Sequence, residues 1–181
     1  MEHLIKFYPV ENADCTLIKL DNGKTIITDC QILDNLNNDK GIQVCFDVKA
    51  DLLKELGKDR NGNPFVDLFV STHPHDDHCK GFEGNFYHGD PKDYDKTTNK
   101  DEIIIGELWI TPRGIGNKLA DSAESVRQEA KRRRKLGSSG NWSDIARIKQ
   151  KKTAEHFVYL NNHKQIYNHE QQFSISCMGP I

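Results

Sequence analysis

"FVDLFVSTHPHDDHCKG", residues 65–81, opens with an apolar run broken only by Asp67 and closes with three histidines and two aspartates in six positions before Gly81. Near-continuous apolar residues over a strand's length mark a strand buried on both faces. On the extended segment that follows, His73 and His75 alternate, so both rings face one side and can reach one ion. Asp77 and His78 come where the chain should turn into a helix whose first residues point back toward the strand end. They offer a carboxylate and an imidazole for a second ion close by. Imidazole and carboxylate donors suit Zn²⁺, with Mn²⁺ or Fe also accepted, whereas an all-oxygen set would suit Mg²⁺ or Ca²⁺. Pro74 fixes the backbone between the two histidines, and Gly81 fits where close packing leaves no room for a side chain.

Working outward, "HLIKFYPV" and "CTLIKL" have strand character, and Asn22-Gly23 is a strong hairpin signal before the returning strand "KTIITD". That strand delivers Asp29 to its end. "IQVCF" is read as a short strand, and "VKADLLKELGK" as a helix with Leu52, Leu53 and Leu56 on one face and Gly57 as its stop. Residues 83–102 read as loop, and "EIIIGELWITP" as a strand ended by Pro112. "NKLADSAESVRQEAKRRRKLGSSG" places Leu119, Ala123, Val126 and Ala130 at helical spacing, with Gly137 as a C-cap. A second basic helix through "DIARIKQKKTAEHF", a polar loop "NNHKQIYNHEQQ" and a last strand "QQFSISCMGPI" complete the pattern. Strands interspersed with helices indicate a mixed α/β layered domain.

At 181 residues the chain fits one domain, residues 1–181. No apolar run approaches the ~20 residues of a membrane-spanning helix, and "MEHLIKFYPV" lacks a secretory pattern, so a cytoplasmic protein with no membrane partner is expected. Cys15, Cys30, Cys45, Cys79 and Cys177 are scattered and odd in number, which favours reduced thiols over a disulfide framework. The net charge of -2 conceals segregation: residues 113–152 carry twelve Lys/Arg against four Asp/Glu, a balance of +8 that leaves -10 for the rest. Lys131, Arg132, Arg133, Arg134 and Lys135 are the densest part, a candidate surface for nucleic acid; the bland alternative is a solvated helix face.

Thr72-His73-Pro74-His75-Asp76-Asp77-His78, with Gly81 following, resembles the T-H-x-H-x-D-H-x-x-G signature of the metallo-β-lactamase superfamily at every signature position. "VENADCTLIKLDNGKTIITDCQ" is similar to the opening hairpin of that family, most closely its competence-protein (DNA-uptake) branch. Asp14 and Asp29 fall on the two aspartate positions, but Ala13 and Gln31 stand where glycines belong. The resemblance implies the N-terminal half of a metallo-β-lactamase-like αββα sandwich, with residues 114–156 as a basic helical insertion. It implies one or two Zn²⁺ ions on His73, His75, Asp77 and His78, Asp77 as a catalytic group that also orients water, and Asp29 as a group buttressing the ligands.

The family draws its remaining ligands from its second half. His156, His163, His169, His3 and His88 lack the right context for that role, so the remainder of a longer protein, or a partner chain, is expected to supply them. The leading expectation is a metal-dependent phosphodiesterase or nuclease. Alternatives are a hydrolase of small thioesters, lactams or phosphoesters, and a non-catalytic interaction module in which the apolar face of the basic helix docks another chain.

Overall fold

The computed structural model describes residues 3–110, 114 and 120–138, together with three strands between 155 and 176; side chains are described through residue 133. The chain forms a mixed α/β fold. Strands β1 (Leu4–Phe7), β2 (Thr16–Lys19) and β3 (Thr25–Thr28) make an antiparallel meander. Its second turn is Asn22-Gly23, where Gly23 takes φ +78° and Leu20 N–H donates to the Lys24 carbonyl at 2.8 Å.

After β3 the sheet changes character. β4 (Cys30–Gln31) leaves it, α1 (Val48–Glu55) crosses over, and β5 (Gly57–Lys58) pairs with the start of β6 (Pro64–Ser71). β6 lies parallel to β3, and β7 (Ile104–Ile110) lies parallel to β6. The short helix α2 (Asp76–Cys79) and a 3-10 turn at Pro91–Asp93 lie between them. α3 (Ala123–Ser138) then leads to β8 (Glu155–Phe157), parallel to β7. The sheet order is β1-β2-β3-β6-β7-β8. β9 (His163–Tyr167) and β10 (Gln172–Ser176) form a separate antiparallel pair.

The main core joins Val48 and Leu52 of α1 to Leu17, Ile27, Phe69 and Leu108 of the sheet and to Ala123, Val126 and Ala130 of α3. Asp47 caps α1 by accepting from Ala50 N–H at 2.9 Å. Ile26, Leu68 and Trp109 form a second cluster on the other face of the sheet. The apolar alternation slips by one residue at the same level in two strands. In β6, Val66 and Phe69 share the main core across Asp67; in β7, Ile105 and Leu108 do so across Gly106. A Cβ at Gly106 would lie 2.7 Å from the Phe65 ring and 2.8 Å from the Asp67 carbonyl oxygen, so only glycine fits there. The Ile105 and Gly106 carbonyls accept from Arg133 at 3.0 and 3.4 Å.

α3 packs its apolar face into the main core, and it lies in sequence between two neighbouring parallel strands, a link that needs a crossover element. Several expectations are corrected. α3 begins at Ala123 and runs through Gly137 to Ser138, so Gly137 is not its cap. Gly57 does not stop α1 in a left-handed turn but pairs with Phe65. "IQVCF" makes one bridge, Asn37 to Gln43, and no strand. The expected second basic helix gives way to β8 at residues 155–157, and the expected polar loop holds β9. Leu119, and that basic helix before residue 155, lie outside the described residues. Among the described residues no helix is long and apolar enough to cross a membrane.

Candidate metal centre

The site forms where β3 and β6 end side by side, beyond the carboxyl ends of parallel strands, where open α/β sheets bind their ligands. Asp29 follows β3, is 2% exposed, and takes φ +53°, a left-handed conformation that aspartate tolerates better than most residues. Its amide donates to the Val70 carbonyl at 2.9 Å. The bend at Asp29 lets Cys30 and Gln31 run parallel to Cys79 and Lys80. The positive φ therefore sits at Asp29 itself. Gln31, where a glycine was expected, is extended and donates through Nε2 to the Val10 carbonyl at 3.1 Å.

Asp29 receives three donors. Thr72 supplies its backbone N–H to Oδ1 at 2.8 Å and its hydroxyl to Oδ2 at 2.5 Å, and His78 Nδ1 lies 2.9 Å from the same Oδ2. Burial holds the Asp29 carboxyl above its usual range, and these bonds draw it back. A carboxylate on Nδ1 fixes the His78 ring and leaves Nε2 free to ligate, the usual support of a ligating histidine. His78 Nε2 lies 3.6 Å from Asp77 Oδ2. Two donors on one tetrahedral Zn²⁺ stand roughly 3.3 Å apart, so this pair is placed to share an ion.

His73 joins the group, and His75 packs beside it, outside the converging donor set of Asp29, His73 and His78. The His73 ring centroid is 3.7 Å from that of His78 and 4.6 Å from that of His75. The two alternating histidines thus lie on one side, as the extended segment requires. His73 Nδ1 is 3.0 Å from the Thr72 hydroxyl. Burial first, and then the neighbouring His78, holds the His73 imidazole below its usual range. The His73 imidazole, crowded by two others and resisting protonation, suits a cation better than a proton. Donor atoms of Asp29, His73 and His78 all fall within 4.8 Å of one another, so Asp29 is also within reach of an ion, although three donors already occupy it. Burial pushes the Cys15 and Cys79 thiols up to about 12, and it raises Cys30 as well.

Asp76 faces away from the group. Its Oδ1 accepts from the Ser122 amide at 3.2 Å and from the Ser122 hydroxyl, which hold its carboxyl below the usual range. Asp14, matched in sequence but given no role there, places Oδ2 3.6 Å from His78 Nδ1, and its amide donates to the Asp77 carbonyl at 3.3 Å. Ser122 was missed as a site neighbour because the helix was started too early; "DSA" before the apolar periodicity was the capping signal that could have found it.

Among the other histidines whose side chains are described, His3 and His88 do not join. His3 lies 3.7 Å from Asp21, and His88 packs 5.0 Å from the Phe82 ring, its buried Nε2 unpaired among the described residues. His156 stands on β8 opposite Trp109 and His163 on β9, while His169 lies outside the described residues.

The basic run is divided by burial. Lys131 is exposed, but Arg133 is 2% exposed and donates to Glu129 at 2.7 Å, besides the two β7 carbonyls. Arg132 makes two 2.7 Å bonds to the same Glu129. Arg133 is therefore withdrawn from the candidate nucleic-acid surface, because a cation held inside the fold cannot meet a phosphate. The side chains of Arg134 and Lys135 lie outside the described residues. The chain matches no family model and no curated protein.

Proposed function

We propose that this chain belongs to a metal-dependent hydrolase that cleaves phosphodiester bonds of nucleic acid. His73, His75, Asp77 and His78 would ligate one or two Zn²⁺ ions, or Mn²⁺ or Fe in their place, and Asp29 would hold His78. The observation that carries the reading is the His78 ring, set between Asp29 at Nδ1 and Asp77 at Nε2 with the His73 ring against it. A bound ion supplies Lewis acidity and brings the pKa of water near ~7. Asp77 is half-exposed, so its carboxylate can both ligate and orient the attacking water. Asp29, saturated with donors, stays out of proton transfer and keeps Nε2 of His78 directed at the site.

A sheet with α1 and α3 sharing one core, and the histidine motif at its strand ends, supports the first half of a metallo-β-lactamase-like αββα sandwich. The remaining ligands would come from the rest of the protein or from a partner chain. Cys15, Cys30, Cys45 and Cys79 are free thiols, which supports a reducing compartment such as the cytoplasm.

Glu129's hold on Arg132 and Arg133 favours a second reading, in which the substrate is a small ester, thioester or lactam that needs no basic surface. The non-catalytic docking module loses its motive, since the apolar face of α3 is spent inside the chain.

The test is cleavage of a plain polynucleotide by the whole protein loaded with Zn²⁺ or Mn²⁺. His75→Ala should reduce cleavage to background, and full activity in excess chelator overturns the proposal. Lys131→Glu separates the substrates: it should raise KM for a polynucleotide while leaving KM for a small phosphodiester unchanged.

A further inference from the structure

We infer that Asp76 is a positioning residue for the metal centre, acting as a latch between α2 and the start of α3; the inference rests on the metal reading above. Asp76 lies between the two candidate ligands His75 and Asp77 yet makes its contacts elsewhere. Its Oδ1 takes the Ser122 amide at 3.2 Å and the Ser122 hydroxyl as well. Beside it, the Ala120 amide donates to the Pro74 carbonyl at 3.4 Å, so the chain entering α3 lies along the histidine motif.

The two helices differ in what holds them. α2 has four residues, and His75 at its N-cap makes no side-chain capping bond. A single turn has almost no stability of its own, so its orientation is set by whatever it is tied to. α3 has sixteen residues, and Ala123, Val126 and Ala130 anchor it in the main core. Ser122 immediately precedes α3, where unpaired amides and the positive end of the helix dipole favour a carboxylate. Asp76 thus fixes the first turn of α2, and with it His75 and Asp77, to a rigid element. Other ties of α2 are the His78–Asp29 bond at 2.9 Å, Cys79 Sγ to the His73 carbonyl at 3.7 Å, and backbone bonds from Asp14 N–H to the Asp77 carbonyl at 3.3 Å and from Ile32 N–H to the Lys80 carbonyl at 2.9 Å. The side-chain ties of His78 and Cys79 hold the later part of the turn, whereas the Asp76 latch holds its first residue, next to His75 and Asp77, so one substitution can release that end.

The experiment is Zn²⁺ affinity of the full chain, by competition with a chromophoric chelator, at a temperature well below unfolding. Asp76→Ala should weaken binding roughly tenfold, the scale of losing an outer partner of a ligand set. Asp76→Asn removes the same charge but keeps an acceptor, and it should stay within about threefold of wild type. Ser122→Ala should weaken binding in the same direction, and adding it to Asp76→Ala should cost nothing more, since both break one contact. The latch is overturned if Asp76→Ala binds like wild type, if Asp76→Asn is as weak as Asp76→Ala, or if the two alanine variants act additively. Should Asp76→Ala fail to fold, Ser122→Ala decides alone, with unchanged affinity overturning the latch. A wild-type chain that takes up no Zn²⁺ overturns the metal reading and the latch with it; uptake by wild type and variants alike overturns the latch only.

Discussion

Gly81 shows how a residue without a side chain can govern the geometry around the Asp29–His78 bond. It takes φ +79°, and a Cβ built there would lie 2.2 Å from the Ile32 carbonyl oxygen. That carbonyl belongs to the segment leaving Asp29, which runs beside the segment leaving His78 through the Cys30–Cys79 and Gln31–Lys80 bridges. Any side chain at residue 81 must push these two segments apart, and they carry the two partners of the Asp29–His78 bond. Gly81→Ala should therefore cost about 2–4 kcal/mol, a left-handed penalty plus the clash. It should also weaken Zn²⁺ uptake. Urea denaturation reads the first effect, and a stability within ~0.5 kcal/mol of wild type would contradict it. The sequence made this glycine legible as a place with no room, but not what crowds it: the crowding atom comes from a segment almost fifty residues earlier. Asp29 has the same character. Its buttressing position could be read from the motif, whereas its positive φ, which makes a glycine at residue 31 unnecessary, could not.

Elements are harder to assign than residues when charge and burial conflict. Five consecutive basic residues in α3 look like a solvated face, yet helical geometry turns every third or fourth residue inward, and Arg133 shares the inward stripe with Val126 and Ala130. Glu129, 1% exposed, makes that burial tolerable, and the Ile105 and Gly106 carbonyls take the remaining guanidinium donors. Composition cannot distinguish such an arginine from its exposed neighbour Lys131. Substitution can. Arg133→Ala leaves Glu129 with Arg132 alone and two β7 carbonyls without their donor, so it should destabilise by about 3 kcal/mol. Lys131→Ala should change stability by less than ~0.5 kcal/mol. Equal costs from parallel urea titrations would mean that the pair inside the fold is worth no more than a surface charge. Whether a helix is added to a sheet or links two of its strands depends likewise on β8, whose Glu155–Phe157 was hidden inside an apparent basic helix.

Across the whole molecule, the opening hairpin, the β6 strand and the histidine motif were legible because their signals are local: a turn dipeptide, an apolar run, a ligand spacing. The order β3-β6-β7-β8 was not, because parallel pairing is decided between strands far apart in sequence. The antiparallel edge of the sheet is fastened to the parallel part by charge as well as by packing. Lys6 on β1 and Lys19 on β2 both reach Glu55 at the end of α1, at 3.1 and 2.8 Å, and Lys6 and the Tyr8 hydroxyl meet Asp51 at 2.8 and 2.9 Å. The bonds from Lys19 and Lys6 lower the Glu55 carboxyl from 4.5 to about 2. A carboxyl whose pKa is lower in the folded than in the unfolded state stabilises the fold above the unfolded value. As pH falls from 4.5 toward about 2, the unfolded chain takes up the proton first and that stability drains away. Urea midpoints measured at constant ionic strength should therefore fall across this window. Glu55→Gln, which cannot titrate, should start lower at neutral pH and follow a shallower acid slope. An equally steep slope in Glu55→Gln would assign the acid sensitivity to other carboxylates and leave the tie between α1 and the β1–β2 edge to packing alone.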